Sequence, residues 1–207
     1  MSQHKPTHIG VIPDGNRRWA ALHGMEKQDG YAYGLAPGLR LLQAAKRAGV
    51  QELTYYGFTK DNCKRPPAQQ AAFRRACVDA VELLAGEGAD LLVLGDTSSP
   101  CFPPALLPYT RRTPVHGGGT RVNFLVNYGW QWDLAHLRED GFPRSRDISR
   151  IDLIIRWGGM RRLSGFLPMQ SVYSDFYVAD PLWPDYTDSD FENALLWYQK
   201  QDVTLGG

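Results

Sequence analysis

The chain has 207 residues, 43% hydrophobic and 22% charged, which marks it as globular rather than disordered and suits a single domain over residues 1–207. Its 23 basic and 22 acidic side chains leave a formal charge of +1, so no global field draws it to nucleic acid or a membrane surface. Any anion-binding function must come from a local cluster.

Residues 7–13, "THIGVIP", read as a buried strand bounded by the turn residues Asp14-Gly15-Asn16. A helix begins within "NRRWAALHG", with Gly24 as its stop. A second helix starts near Pro37 and carries Leu39, Leu42, Ala45 and Ala48 on one side. "QELTYYGFT" is the next strand and "KDNCKRPP" the loop after it. Beyond Pro67 a long helix places Phe73, Ala76, Val81 and Leu84 at helical spacing. "ADLLVLGDTSS", "TRVNFLVNYG" and "RIDLIIRWGG" are three further strands, each ending in a Gly-containing turn. The tail "DSDFENALLWYQKQ" is a helix whose start is marked by Asp188 or Ser189.

Alternating strands and helices, with nearly continuous apolar strands, predict an α/β domain: a central, mostly parallel sheet flanked by helices on both faces. Ligands in such folds bind outside the carboxyl ends of the strands. Those ends carry Asp14-Gly15-Asn16, Thr59 to Arg65, Gly95-Asp96-Thr97, Asn127-Tyr128-Gly129 and Arg156-Trp157-Gly158-Gly159. Cys63, Cys77 and Cys101 are widely spaced and form no Cys-x-x-Cys pair, as in a reducing compartment. The N-terminus has no apolar signal region and no run approaches a membrane span, so a cytoplasmic location is expected.

Three segments carry candidate chemistry. In "PDGNRR", backbone N–H groups at a helix start and two guanidiniums suit a diphosphate, with magnesium between that anion and Asp14; a capped turn with solvated arginines fits the same residues. "FTKDNCKRP" supplies a hydroxyl, an amide and Arg65, or a charged surface loop. "IRWGGMRRLSGF" sets three arginines, a Gly-Gly pair and Ser164 straight after a strand, as phosphate binding asks, or as a solvated basic patch offers. His8, His23 and His116 have no metal-ligand spacing and read as structural. The aromatic-rich "YSDFYVADPLWPDY" reads as core or subunit interface, with Asp175 as an acid that calls for a partner.

Taken together and in order, "HIGVIPDGNRRWA", "LTYYGFTKDNCKRP", "GDTS", "NYGWQWD", "DLIIRWGGMRRLSGFLPMQSVYSDFY" and "LWPDY" resemble the cis-prenyltransferases, the family of undecaprenyl diphosphate synthase. The resemblance covers most of the chain. It implies an isoprenoid diphosphate synthase that uses Mg2+, binds its growing chain in an apolar tunnel and works as a homodimer. It also implies roles: Asp14 at magnesium and the allylic diphosphate; Gly15, Asn16, Arg17 and Arg18 lining that pocket, with Lys27 and Tyr31 beside it; Asn62 and Arg65 near the reacting carbons and the second substrate; and Thr59 as a catalytic hydroxyl. Arg156, Arg162 and Ser164 match the clamp on the second diphosphate, and Asp175 matches a further magnesium ligand.

Departures from the family pattern accompany these matches. Thr59 stands for serine, Tyr31 for histidine, Lys27 for arginine, Cys63 for tryptophan, Gln69 for glutamate, Met160-Arg161 for Glu-His, Trp157 for threonine and Asp175 for glutamate. The chain is short between "NYGWQWD" and "RIDLIIRW", which argues for a short product, and a bulky Trp157 beside Arg156 is expected to crowd a long one. These traits resemble the branch making irregular monoterpenoid diphosphates, the lavandulyl or cyclolavandulyl diphosphate synthases, which join two dimethylallyl diphosphates head to middle. The alternative is a regular head-to-tail enzyme using isopentenyl diphosphate to make neryl or Z,Z-farnesyl diphosphate. No P-loop and no Gly-x-Gly-x-x-Gly points to a general nucleotide-binding module.

Overall fold

The computed structural model describes residues 5–112 and 119–202. Six strands form one sheet in the order β3-β4-β2-β1-β5-β6, every neighbouring pair parallel. They are β1 (His8–Ile12), β2 (Glu52–Thr59), β3 (Asp90–Leu94), β4 (Arg121–Tyr128), β5 (Leu153–Arg156) and β6 (Asp175–Val178). The helices are α1 (Asn16–Leu22), α2 (Gly30–Tyr33), α3 (Leu35–Ala48), α4 (Pro67–Gly86), α5 (Trp130–Ala135), α6 (Leu137–Asp140) and α7 (Asp188–Tyr198). β1 lies between β2 and β5, and the chain leaves it in one direction for β2 and returns on its other side for β5. That reversal of strand order is where α/β sheets open a crevice.

Alternation along each strand divides the core in two. Ile9, Val11, Leu53, Tyr55, Phe124, Val126 and Ile155 face the long helices and meet Leu41 and Leu42 of α3, Val81 and Leu84 of α4, and Phe191 and Ala194 of α7. Ile12, Tyr56, Leu125, Tyr128 and Ile154 face the other way, against Ile148, Ile151, Phe166 and Leu167. That second face is covered mainly by irregular chain, with Trp132 of α5 packed beside it, rather than by long helices.

Several local expectations shift. α3 begins two residues before Pro37, and Leu41 and Leu42 are its buried leucines while Leu39 is half-buried. α7 is capped by Thr187, whose hydroxyl accepts from Asp190 N while the Asp190 carboxylate accepts from Thr187 N–H; Asp188 and Ser189 lie inside the helix. The aromatic-rich segment contains the edge strand β6, a four-residue half-buried strand too short to show a period in sequence. Trp157 is fully buried on the long-helix face, edge-on to Trp183 at 4.9 Å. Strand alternation sends it away from Arg156, so it crowds no space beside that arginine.

At the amino ends of the strands lies a buried polar network. Asn123 donates to Glu52 and to Thr54 Oγ1, and Thr54 lies 2.8 Å from His8 Nε2. His8 Nδ1 faces the carbonyls of Ser149 and Arg150, so it carries the proton there and Nε2 accepts from Thr54. The Ser149 hydroxyl donates to the second Glu52 oxygen, and Arg112 donates to Asn123 Oδ1. Burial pushes the His8 imidazole below its ordinary value despite Glu52 beside it. Burial also pushes Glu52 upward, but His8 and the bonds from Asn123 and Ser149 outweigh it and hold the carboxyl below its ordinary value. His8 is structural, as read; His23 stacks on Trp19 at 4.0 Å; His116 lies outside the described residues.

Candidate active site

A pocket of about 600 Å³ opens at the carboxyl ends of β1, β2 and β5. Asp14, Gly15, Asn16, Arg17, Arg18, Lys27, Tyr31, Thr59, Asn62, Arg65, Arg156, Arg162 and Ser164 all line it. Residues from four separate stretches of sequence therefore meet at one place.

The floor is built where β1 ends. Asp14 follows the last strand residues, and its carbonyl accepts from Trp183 N at 3.0 Å. Gly15 has φ +115, and a Cβ there would meet Leu182 Cδ2 at 2.8 Å, so only glycine passes this turn into α1. Opposite, Gly158 has φ +84, and a Cβ there would lie 2.5 Å from Arg18 Nη2. Gly15 thus makes room for Leu182, and Gly158 lets the end of β5 close onto the Asp14 turn.

Arg156 is buried and donates from Nη2 to Asp14 Oδ2 at 2.7 Å and from Nη1 to Ser164 Oγ at 3.1 Å and to the Arg162 carbonyl. Arg18 reaches Asp14 Oδ1 at 3.5 Å. Ser164 adopts φ +53, and its carbonyl accepts from the Tyr56 hydroxyl at 2.8 Å. Burial raises the Tyr56 phenol well above its ordinary value, so it stays a neutral donor.

The facing wall differs in kind. Arg17 meets the neutral amide of Gln69 at 3.4 Å, and Arg65 donates to the Tyr31 hydroxyl at 2.8 Å. Tyr31 stacks on Phe73 at 4.4 Å with the rings 4° from parallel, and the Arg65 guanidinium lies 5.4 Å from the same Phe73 ring. Burial keeps the Tyr31 phenol raised, hence neutral, and pulls Arg65 below its ordinary value, with Arg17 adding to the fall. Cations held near one another against neutral partners keep charge that an anion could meet.

Thr59 and Asn62 line the pocket through a capping box in which the Asn62 Oδ1 accepts from Thr59 N at 2.9 Å. Asp175 is not brought here. It opens β6, level with Leu153, whereas the pocket lies beyond Arg156, three residues or about 10 Å further along the strands. Within one chain Asp14 and Asp175 therefore share no metal. Sequence spacing missed Tyr56 and Phe73, which line the pocket but read as strand and helix core, and Asp61, which lines its mouth and pairs with Lys64.

The undecaprenyl diphosphate synthase model of the prenyltransferase family matches residues 12–206. The chain belongs to that family. The tritrans,polycis-undecaprenyl-diphosphate synthase (geranylgeranyl-diphosphate specific) of Aeropyrum pernix is 33% identical, over 98% of this chain and 99% of its own. The ditrans,polycis-undecaprenyl-diphosphate synthase ((2E,6E)-farnesyl-diphosphate specific) of Pectobacterium atrosepticum is 32% identical, over 98% of this chain and 90% of its own. The crystal structure of lavandulyl diphosphate synthase from Lavandula x intermedia in complex with dimethylallyl diphosphate superposes with a TM-score of 0.80, covering 98% of this chain and 99% of that one at 24% identity. The fold and the isoprenoid diphosphate synthase activity expected from the sequence motifs are thus established. The argument from chain length is not: a relative named for an undecaprenyl product is matched over 99% of its length.

The pocket suits the divalent metal that family membership implies. Magnesium is commonly held by one or two carboxylates together with substrate phosphates. Asp14 is the carboxylate, 32% exposed, and a carboxylate's lone pairs exceed the two arginine contacts it makes. Among the described residues no three His, Cys, Asp or Glu side chains converge to hold an ion, which leaves the remaining ligands to substrate oxygens and water. Among them, too, no helix is long and apolar enough to cross a membrane.

Proposed function

We propose that the chain condenses an allylic diphosphate with isopentenyl diphosphate head to tail and releases a short cis-prenyl diphosphate such as neryl or Z,Z-farnesyl diphosphate. The observation that carries it is one pocket lined by two sets of cations. On this reading Arg17, Arg18 and Lys27 take one anion, and Arg156, with Arg162 and Ser164, takes the other, as a reaction between two diphosphates needs. The named relatives at 32–33% identity are undecaprenyl-diphosphate synthases, which supports the regular reading over the irregular one.

The apolar space supports a short product. The slot between α3, α4 and the sheet is about 50 Å³, the room of one or two waters, and Tyr55, Phe124, Leu84 and Trp183 line it. Asp14 would hold Mg2+, which would supply charge stabilisation to the departing allylic diphosphate. Arg17 and Arg18 bind and orient that diphosphate, and their positive charge is worth most where charge grows on the leaving group. Arg156, fixed by Asp14 and Ser164, orients the second substrate. Tyr56, Phe73 and Ile12 line the same space and keep water from the carbocation.

A second reading, head-to-middle joining of two dimethylallyl diphosphates, is favoured by the rebuilt wall in which Tyr31, Gln69 and Phe73 engage Arg65 and Arg17. A homodimer fits the exposed apolar side chains Met169, Val172 and Tyr173 on one short stretch. The test of function incubates the protein and Mg2+ with dimethylallyl diphosphate, with and without isopentenyl diphosphate, and identifies the dephosphorylated products by gas chromatography–mass spectrometry. A linear cis prenol that requires isopentenyl diphosphate is expected. A branched or cyclic ten-carbon alcohol from dimethylallyl diphosphate alone would overturn the head-to-tail reading in favour of the second.

A further inference from the structure

The 3₁₀ turn Lys60–Lys64 carries Asn62 and leads into Arg65, both at the pocket, while its Lys60 and Cys63 side chains bond away from it. Lys60 Nζ lies 2.6 Å from Asp96 Oδ2 at the end of β3, and the Asp96 carboxylate is only 13% exposed. Asp96 is fixed in turn by the Ser98 hydroxyl and N–H, and these bonds with Lys60 hold its carboxyl below the usual range against the upward push of burial. The Lys60 stem crosses Gly129, where a Cβ would meet its Cδ at 2.9 Å, so the glycine makes room for the lysine.

A second tie lies three residues on. Cys63 Sγ donates to Asn127 Oδ1 at 3.2 Å; burial and the neighbouring Cys101 push its thiol up to about 12, so it carries its proton at neutral pH. Asn127 is fully buried, adopts φ +53 at the end of β4, and donates its amide to the Asp96 carbonyl at 2.9 Å. The two ties therefore converge on Asp96: Lys60 on its carboxylate, Cys63 through Asn127 on its carbonyl. They grip the turn on either side of Asn62.

We infer that Asp96 and Asn127 are positioning residues that hold the Lys60–Lys64 turn in place and so fix Asn62 and Arg65 at the pocket. Neither touches the pocket, and both act through the turn. The kinetic part of this inference rests on the prenyl-transfer reading; the clasp itself does not. Misplacement of a substrate-facing group by an ångström is enough to cost tenfold or more in rate.

The test uses Asp96→Asn, which keeps the Ser98 contacts and removes the charge, Lys60→Met, which keeps the stem over Gly129, and the double variant. Amide hydrogen exchange over residues 59–65 and kcat/KM are measured for each. Faster exchange confined to that turn and a roughly tenfold lower kcat/KM in each single variant are expected, with no further loss in the double variant because the pair acts as one unit. Arg75→Met, which removes a surface ion pair on α4, should change neither readout. Unchanged exchange in both single variants, or losses that simply add in the double one, would overturn the clasp. Accelerated exchange in a protein that transfers no prenyl group would uphold the clasp and remove the proposed function instead.

Discussion

The two ends of the sheet hold similar residue types and use them oppositely. At the amino ends, His8, Glu52, Thr54 and Asn123 are buried, and their bonds run donor to acceptor until the network closes. At the carboxyl ends, Asp14 keeps open lone pairs, Arg17 has a long bond to a neutral amide, and Arg65 rests on an aromatic ring. A network satisfied by its own protein has little left to offer a ligand. A site with cations short of counter-charge stays ready for an anion. On the proposed reading the same fold thus places stability at one end and chemistry at the other.

Substitution separates the two ends. Asp14→Ala should lower turnover by at least about 10²-fold while the chain still folds, because on the proposed reading the carboxylate serves charge development in the pocket; steady-state kinetics beside a thermal melt checks this. Glu52→Ala should do the reverse, costing about 3 kcal/mol of stability in urea unfolding, since its partners stay buried without it. Its kcat/KM per folded molecule should stay within about twofold of wild type.

Tyr31→Phe has a smaller effect. It removes one hydrogen bond to Arg65 but keeps the ring on Phe73, and should cost about 1 kcal/mol, roughly fivefold in kcat/KM. The smallest effect is one of pH. His8 has a lowered value in the fold, so its contribution to stability is present above 6.5, its ordinary value, and lost as pH falls below it. Glu52 is likewise depressed, so its contribution is present above 4.5 and lost as pH falls through its folded value. Melting temperature should therefore decline on acidification from pH 6.5, and the part between 6.5 and 5 should vanish in His8→Asn. An unchanged slope in that variant would remove His8 from the network's titration.

What was legible in the sequence follows from how far each interaction reaches. Asp14, Gly15 and Arg17 sit together in a turn, so a local pattern held both the strand end and the charges. The site's other walls were legible because Arg65, Arg156 and Ser164 also follow strand ends, and a parallel sheet gathers those ends. Within one chain the same geometry keeps Asp175 away from the pocket: it opens a strand instead of following one, and only the register of β5 with β6 shows that. Trp157 stands next to Arg156 in sequence but on the opposite face, a consequence of strand alternation that a list of substitutions does not carry. The stacking of Tyr31 on Phe73 and the tie from Lys60 to Asp96 join residues 42 and 36 positions apart, beyond any local period.

The central claim is that the carboxyl end of the sheet binds the isoprenoid diphosphates. A crystal structure with Mg2+ and a non-ionisable thio analogue of dimethylallyl diphosphate tests it most directly. The account predicts the analogue's diphosphate against Arg17, Arg18 and the Asp14 turn, with a metal ion on Asp14 and its apolar tail toward Tyr56 and Phe73. An analogue bound elsewhere, or a metal ion held without Asp14, would contradict it.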